Sequence, residues 1–552
     1  MVDSVDVRLV NVDVVVTDPD GTRRRDLGRD DFRLYEDGQE VEIRHFVPPE
    51  AATPQAASTA EPVVAVAPGA DDPGAELPRL VIFFDLLRLE AADRRRLAEA
   101  LRDVLHEAPP LRTMIVTNHR SMHIRLPFTA EPVAWTELLT EIERVEPGRL
   151  GGFDERNSLA EEFATVQRLL VAADTPNEVR RAESRRASAL AQLDSMAGAL
   201  ESEIRGTLGA LHQLTASLGG VEGRKLLLYV GDNLELSPIR ELFEEAQLTL
   251  GQTEVGSSRL ASAAATFELS SEFDHLLREA NAQGVTFYGV TPKNRGGVDV
   301  AERSFNGATV VAGALGFQGR LPSKRQELVK EAVCRLTIES GGLCQAGGTE
   351  PRLLLRATLD DVDSTYSLAY APEHPPDGEF HRLEVEVLQP ELDVRHREGY
   401  VDKAAESRLH GRLAAALLLG DADDALEITV TPGVVAPPGP SSAQGPRRSL
   451  VPLEVRVSVD RLGLVPIQGG QQVGAKARLL VQTQNEQGGV SSVQEYPVAF
   501  QVAGDRLTAQ PPLAYAHKLH LLLEPGQYQV AIGLWDEVGR VGSFVSHDVV
   551  VE

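Results

Sequence analysis

Cysteine is nearly absent. Cys334 and Cys344 are the only two in 552 residues, which excludes the small disulfide-stapled scaffolds that dense cysteine patterns announce. The two are close enough in sequence to close a small loop if their Cα atoms come within bridging range, and such a bond suits an oxidising compartment. Two buried free thiols are the alternative. Long apolar runs are missing as well. No window reaches the ~18 to 20 uninterrupted apolar residues of a spanning helix, so no transmembrane segment is expected. Met1 to Val16 alternates instead of forming the apolar core of a signal peptide. Positive charge is in deficit, with 55 Lys and Arg against 82 Asp and Glu and a formal net charge of -27. That field repels phosphate backbones and anionic lipid surfaces, which argues against nucleic acid as a partner. Its plainest use is solubility.

Signatures of catalysis are also lacking. His119 and His123 are four apart, but they fall in a strand-and-turn pattern with no Glu beside the first, so the zinc-protease motif is absent. Asp421, Asp423 and Asp424 begin like a calcium loop without its glycine or closing Glu at the required spacing. Gly313, Gly316 and Gly319 do not open a helix after a buried strand, and no Gly-x-Ser-x-Gly elbow occurs. With neither a triad nor a paired acid/base system, the chain is expected not to be an enzyme. Tyr528 and Trp535, on one strand pattern, read as aromatic core.

What is present is a soluble, multidomain composition. Hydrophobic residues make up 42% and charged residues 25%, and the length predicts two to four domains. Val10, Val12, Val14 and Val16 alternate as a strand, and Glu36-Asp37-Gly38-Gln39 predicts a hairpin turn between short strands. From Pro48 to about Leu77 the chain is rich in Ala and Pro, which predicts a linker. Leu80 to Phe84 is then a continuous apolar run ending at Asp85, the pattern of a buried parallel strand. Met114 to Thr117, Leu226 to Val230 and Val285 to Val290 repeat it, with helical patterns between. The fold class expected is therefore a doubly wound, Rossmann-like α/β domain, with Asp85 and Asp232 at the carboxyl ends of strands, where such sheets bind ligands. Between Phe153 and Leu218 an apolar stripe from Leu190 to Leu218 predicts a long helical insertion. Strand patterns return at Tyr366 to Tyr370, Leu383 to Val387 and Val394 to Tyr400, and after a short helix at 409–419 the rest is all-β.

Several motifs carry a resemblance: Val10-Asn11-Val12-Asp13-Val14-Val15-Val16-Thr17-Asp18, Asp31-Phe32-Arg33-Leu34-Tyr35-Glu36-Asp37-Gly38, the strand ending at Asp85, and Pro127-Phe128-Thr129. Gly223-Arg224-Lys225, Ser340-Gly341-Gly342, Tyr366-Ser367-Leu368-Ala369-Tyr370-Ala371-Pro372 and Arg397-Glu398-Gly399-Tyr400 complete it. Residues 5 to 401 in this order resemble the bacterial, acidobacterial-type family of von Willebrand factor A-related domains. The resemblance implies an adhesion or protein-interaction module of the secreted, periplasmic or cell-surface kind, although a cytoplasmic location stays open. It also implies a metal-ion-dependent adhesion site in which Mg²⁺ or another divalent cation takes oxygen ligands. Asp85 and the later Thr129 and Asp232 match that site, with Asn233 nearby. Leu87 and Leu89 stand where the motif has hydroxyl residues, so the site is expected to be degenerate, with no cofactor required.

The expected division is a β segment at 1–47 that pairs with 364–401, a linker at 48–77, and an α/β domain at 78–350 carrying a helical insertion at 150–219. A helix and β segment at 351–401, a helical connector at 402–433 and a C-terminal β-sandwich-like domain at 434–552 follow. The expected function is binding of a protein partner at the carboxyl edge of the sheet. The competing expectation is an assembly subunit that binds through the helical insertion and C-terminal β domain without metal.

Overall fold

The computed structural model describes residues 9–49, 77–87, 89, 91–119, 121–145, 153–221, 223–231, 234–250, 254–290, 332–343, 351–420, 423–433, 448–467, 472–486, 489–503, 506 and 513–551. It is a mixed α/β protein with several sheets and a C-terminal all-β region.

The chain begins with β1 (Val10–Thr17), β2 (Phe32–Glu36), β3 (Gln39–Val41) and β4 (His45–Val47). Asp37 and Gly38 both take positive φ, 49° and 79°, which is the primed turn whose twist matches a tight hairpin. The α/β region follows with β5 (Arg79–Asp85), α1 (Ala91–His106), β6 (Arg112–Asn118), β7 (Met122–Thr129), α2 (Pro132–Ile142), α3 (Phe153–Ala172) and α4 (Pro176–Leu218). It continues through β8 (Lys225–Val230), α5 (Arg240–Leu250), α6 (Glu254–Thr266), α7 (Ser270–Gln283), β9 (Val285–Val290), a helix α8 at 332–339 and α9 (Pro351–Asp363). Then come β10 (Thr365–Tyr370), β11 (Phe380–Val387), β12 (Asp393–Arg395) and β13 (Gly399–Val401).

The central sheet has the order β7-β6-β5-β8-β9, parallel except for the antiparallel edge strand β7. Every residue of β5 is buried because helices cover both faces, which is why its sequence is a continuous apolar run instead of an alternation. Val81 and Phe83 meet α4, α7 and α8 on one face. Leu80, Ile82 and Phe84 meet α1, α2 and α9 on the other. Leu355, Leu359 and Val362 belong to this second core, so the α/β domain extends through α9, past the expected boundary at residue 350.

The insertion is a helical hairpin. Thr175 and Glu178 cap the 43-residue α4 reciprocally, with Pro176 in its first turn. Its first half packs Ala189, Leu193 and Ala197 against α3, α5 and α6, and its second half delivers Ile204 to Leu218 to the sheet.

The segments on either side of the α/β domain form one sandwich. One sheet runs β12-β1-β10-β4 and the other β13-β11-β2-β3. Val12, Val14, Tyr366 and Leu368 face Phe32, Leu34, Leu383 and Val385 between them. This sandwich is fastened to the α/β domain at the last turn of α9. Asp361 is fully buried and accepts hydrogen bonds from Arg23 (3.0 and 3.2 Å), Arg395 (2.9 Å to each oxygen) and Tyr288 (3.1 Å). Arg224 donates to the carbonyls of Asp361 (3.1 Å) and Val362 (2.8 Å), and Arg23 to that of Ala357 (2.8 Å). Cations at the carbonyl end of a helix also complement its dipole.

The C-terminal region adds α10 (Ala405–Leu419), β14 (Asp423–Asp424), β15 (Thr429–Pro432), β16 (Ser449–Ser458), β17 (Val465–Ile467), β18 (Gln472–Asn485), β19 (Gln494–Ala503), β20 (Ala514–Leu523), β21 (Gly526–Asp536) and β22 (Val541–Val551). A six-stranded and a three-stranded sheet enclose a core that includes Val451, Val455, Leu479, Ile532 and Val549. Because β14 pairs with β22 and β15 with β16, the β region starts at Asp423 and not at 434. The helix α10 is shared: Ala415 and Leu419 enter the α/β core, while Leu409, Leu413, Ala416 and Leu417 pack on Leu480, Ala531 and Phe544. A Cβ on Gly220 would lie 1.9 Å from the Gly411 carbonyl oxygen, so only glycine lets the end of α4 meet α10 this closely.

Replacing Asp361 by Asn leaves Arg23 and Arg395 with no anion beside them. Urea unfolding is expected to show a loss of about 3 to 5 kcal/mol, the scale of a broken buried ion pair. A loss below about 1 kcal/mol would show that the fastening lies elsewhere.

Candidate functional site

The strand order reverses at β5, since the chain leaves β5 toward β6 on one side and returns at β8 on the other. The crevice outside the carboxyl ends of β5 and β8 is where open α/β sheets bind ligands. Asp85 ends β5 at this point, in register with Asn118 of β6. It is not open to the crevice, having 1% exposure. One carboxylate oxygen, Oδ2, accepts hydrogen bonds from Thr207 Oγ1 (3.2 Å) and from the Tyr229 hydroxyl (3.2 Å). Asn118 Nδ2 donates in turn to Thr207 Oγ1 at 3.1 Å. Asn118, Thr207 and Tyr229 are all buried. The helix that carries Thr207 is α4, so the insertion itself closes over the carboxylate.

Backbone and packing complete the enclosure. A Cβ at Gly231 would come within 2.6 Å of the Tyr229 hydroxyl and 2.9 Å of Asp85 Cβ, so the chain leaves β8 hard against the pair. Phe83 stacks on Tyr229 with ring centroids 6.1 Å apart. Beyond β8, Arg156 of α3 pairs with Glu235 (3.0 Å) and Glu241 (3.3 Å), all three buried. Burial opposes the charge of this guanidinium, but the two carboxylates outweigh it and raise its pKa further above the ordinary range. The segment after the switch point is thereby tied to the hairpin.

Of the residues expected to form a cation site, the two that are described, Asp85 and Thr129, do not converge. Thr129 ends the antiparallel strand β7 in register with Thr113, near the start of β6. Asp85 lies level with Asn118, five residues further along β6, or about 16 Å at ~3.3 Å per residue. Thr129 thus sits toward the amino edge of the sheet, where its hydroxyl accepts the Glu131 amide at 3.1 Å just before α2. Residues 119–121 separate β6 from β7, and a link this short permits only a hairpin, because a parallel crossover needs a dozen residues or more. The expectation that Thr129 lines the carboxyl edge is therefore corrected, and that spacing was the signal available in the sequence. Leu89 is fully buried in the core against α1 and α2, and Leu87 is half-buried. The expectation that Asp85 borders an accessible edge is corrected too, because the residue is buried, with Thr207 and Tyr229 both donating to its Oδ2. Asp232 and Asn233 lie outside the described residues. Cys334 is disulfide-bonded, and Cys344 lies outside the described residues.

Sequence reasoning missed Thr207, Tyr229 and Asn118. Each is the polar member of an apolar pattern: Thr207 among Leu200, Ile204, Leu208 and Leu211, Tyr229 within Leu226 to Val230, and Asn118 after Met114 to Thr117.

No protein-family model matches the chain, and no curated protein matches it either. Among solved structures, an aerotolerance-related membrane protein from Bacteroides fragilis is 9% identical, with 52% of this chain and 98% of that chain covered and a TM-score of 0.21. A β-glucuronidase from Bacteroides uniformis is 12% identical, with 34% of this chain and 19% of that one covered and a TM-score of 0.15. Likeness of this degree carries no functional weight.

Replacing Thr207 by Val removes one donor to a buried carboxylate while keeping its volume. Chemical denaturation is expected to show a loss of about 1 to 3 kcal/mol, and the same loss is expected from Tyr229→Phe. Neutral outcomes for both would mean that Asp85 reaches solvent.

Proposed function

We propose that this chain is a non-catalytic protein-binding scaffold of the von Willebrand factor A type, which meets its partner through the helical hairpin and the C-terminal sheets without a cation at the carboxyl edge. The observation that carries this reading is the burial of Asp85, with Thr207 and Tyr229 both donating to its Oδ2. An adhesion site needs that oxygen facing a cation which a partner's acidic group completes. Here the oxygen faces the protein's own hydroxyls. The type is supported by the sequence motifs, together with a sheet whose order reverses at β5.

The contact surface is argued from what is left uncovered. Near the α3–α4 turn Leu169, Val171 and Val179 are exposed, Val171 by 76%, and Arg180 and Arg181 stand beside them, exposed on the first turns of α4. In a chain of net charge -27, that combination suits a protein surface that is apolar and bears acidic groups. On the three-stranded sheet Leu450 and Leu522 pair across strands and both face outward. The disulfide at Cys334 favours an extracytoplasmic location.

The test places a photoreactive amino acid at Val171 or at Leu87 in the full chain, expressed in its native host. A discrete protein adduct from position 171 and none from position 87 is expected. An adduct from position 87 alone would return the contact to the carboxyl edge and reject the hairpin.

A further inference from the structure

A second cluster of ionisable groups lies in the sandwich, remote in sequence from the sheet edge. The loop between β10 and β11 carries His374 and Asp377, and Asp402 follows β13 directly. Backbone hydrogen bonds fix these pieces to one another, with the Gly378 amide donating to the Asp402 carbonyl (2.9 Å) and the Asp402 amide to the Glu379 carbonyl (3.1 Å). His374 Nδ1 lies 3.6 Å from Asp402 Oδ2 and 4.0 Å from Asp377 Oδ2, and one donor atom from each of the three residues falls within 4.8 Å of the others. Ligand atoms about 2.1 Å from one ion are about 3.4 Å apart at tetrahedral angles and about 4.2 Å apart when opposite, so the observed spacing accommodates a single ion. The same ring nitrogen lies 3.1 Å from the Pro375 carbonyl oxygen, which can only accept a hydrogen bond, so an ion bound at Nδ1 would replace the proton that Nδ1 donates there.

The surroundings match what metal sites place behind their ligands. The other ring nitrogen of His374, Nε2, faces Glu36 Oε1 at 3.4 Å, and that oxygen is held by the hydroxyls of Tyr370 (2.5 Å) and Tyr400 (2.6 Å). A carboxylate behind a ligating imidazole fixes its tautomer and orientation. Asp377 offers its second oxygen, Oδ1, to His381 Nε2 at 3.2 Å, and His381 Nδ1 reaches Asp37 at 2.8 Å. The His374 and His381 rings stack with centroids 4.2 Å apart. Asp402 and Glu36 are buried while His374 and Asp377 remain partly exposed, so an ion could enter and keep water in its open positions.

We propose that His374, Asp377 and Asp402 form a binding site for a first-row divalent cation, with Glu36 and His381 as positioning residues behind the ligands. One imidazole with two carboxylates suits Zn²⁺ or Mn²⁺, whereas an all-oxygen set would suit Mg²⁺ or Ca²⁺. Glu36 and Asp37 come from the N-terminal hairpin, and the three ligands come from the chain after the α/β domain. The ion would therefore tie the β10–β11 loop to the end of β13, with the N-terminal hairpin reaching it only through Glu36 and Asp37 behind the histidines.

The test is calorimetric titration of the untagged, EDTA-stripped full chain with Zn²⁺ and with Mn²⁺, paired with thermal unfolding. Binding of one ion per chain and a raised midpoint are expected. His374→Ala and the milder Asp377→Asn and Asp402→Asn should each weaken affinity at least tenfold, with circular dichroism showing that the variants are folded. Asp85→Asn and His410→Ala should leave binding unchanged; His410 belongs to a separate group with Glu406 and Glu495. No saturable binding by the parent, or undiminished affinity in folded His374→Ala and Asp402→Asn chains, would overturn the proposal. Loss of binding in His410→Ala alone would do the same. Because Asp85→Asn is a control here, failure of this site leaves the scaffold reading standing.

Discussion

The densest polar joint between the α/β domain and the sandwich it interrupts centres on one buried carboxylate. Asp361 stands at the last turn of α9, inside the α/β domain, and it receives Arg23 and Arg395 from the two halves of a sandwich that the domain interrupts. A buried anion with three donors has little freedom in where those donors stand. Tyr288 reports the same environment: burial, followed by the neighbouring Asp361 charge, raises its hydroxyl pKa well above the ordinary range and keeps it a donor. Arg224, immediately before β8, secures the adjacent carbonyls. The sandwich is therefore a bracket fixed to the sheet near its amino edge, opposite the edge at which Asp85 lies.

From that bracket the rest follows through two helices. The helix α4 runs from a satellite core with α3, α5 and α6 onto the sheet, and on the way it sets Thr207 against Asp85. The helix α10 joins the α/β core to the C-terminal sheets by offering apolar residues to both. A helix apolar over this much of its surface must be covered on more than one side, which is why α10 is a packed bridge between the two.

The parts of this structure that were legible in the sequence are those set by local pattern. The buried run Leu80 to Phe84 reads as a parallel strand because both of its faces are covered, and Asp37-Gly38 reads as a hairpin turn because both residues take positive φ. The stripe from Leu190 to Leu218 reads as a long helix because its spacing follows the helical repeat. Other features are set by residues far apart. Asp361 meets Arg23 across 338 positions and Asp85 meets Thr207 across 122, and neither pairing leaves a periodic trace. Leu87 and Leu89, where the resembled motif has hydroxyl residues, were visible in the sequence. What they could not convey is that a threonine from the insertion donates to the Asp85 carboxylate. The cluster around His374 was likewise invisible, since Glu36 and His374 are 338 residues apart.

The proposal that no cation binds at Asp85 rests on the burial of this residue and on the hold of Thr207 and Tyr229 on its Oδ2. Crystals of the full chain grown with Mn²⁺, with an anomalous difference map calculated at the manganese edge, test it most directly. The account predicts no anomalous peak within bonding distance of Asp85, with both hydroxyls still donating to its Oδ2. A peak about 2.2 Å from an Asp85 oxygen, the distance of a carboxylate ligand to such an ion, with Thr207 or Tyr229 displaced, would contradict it.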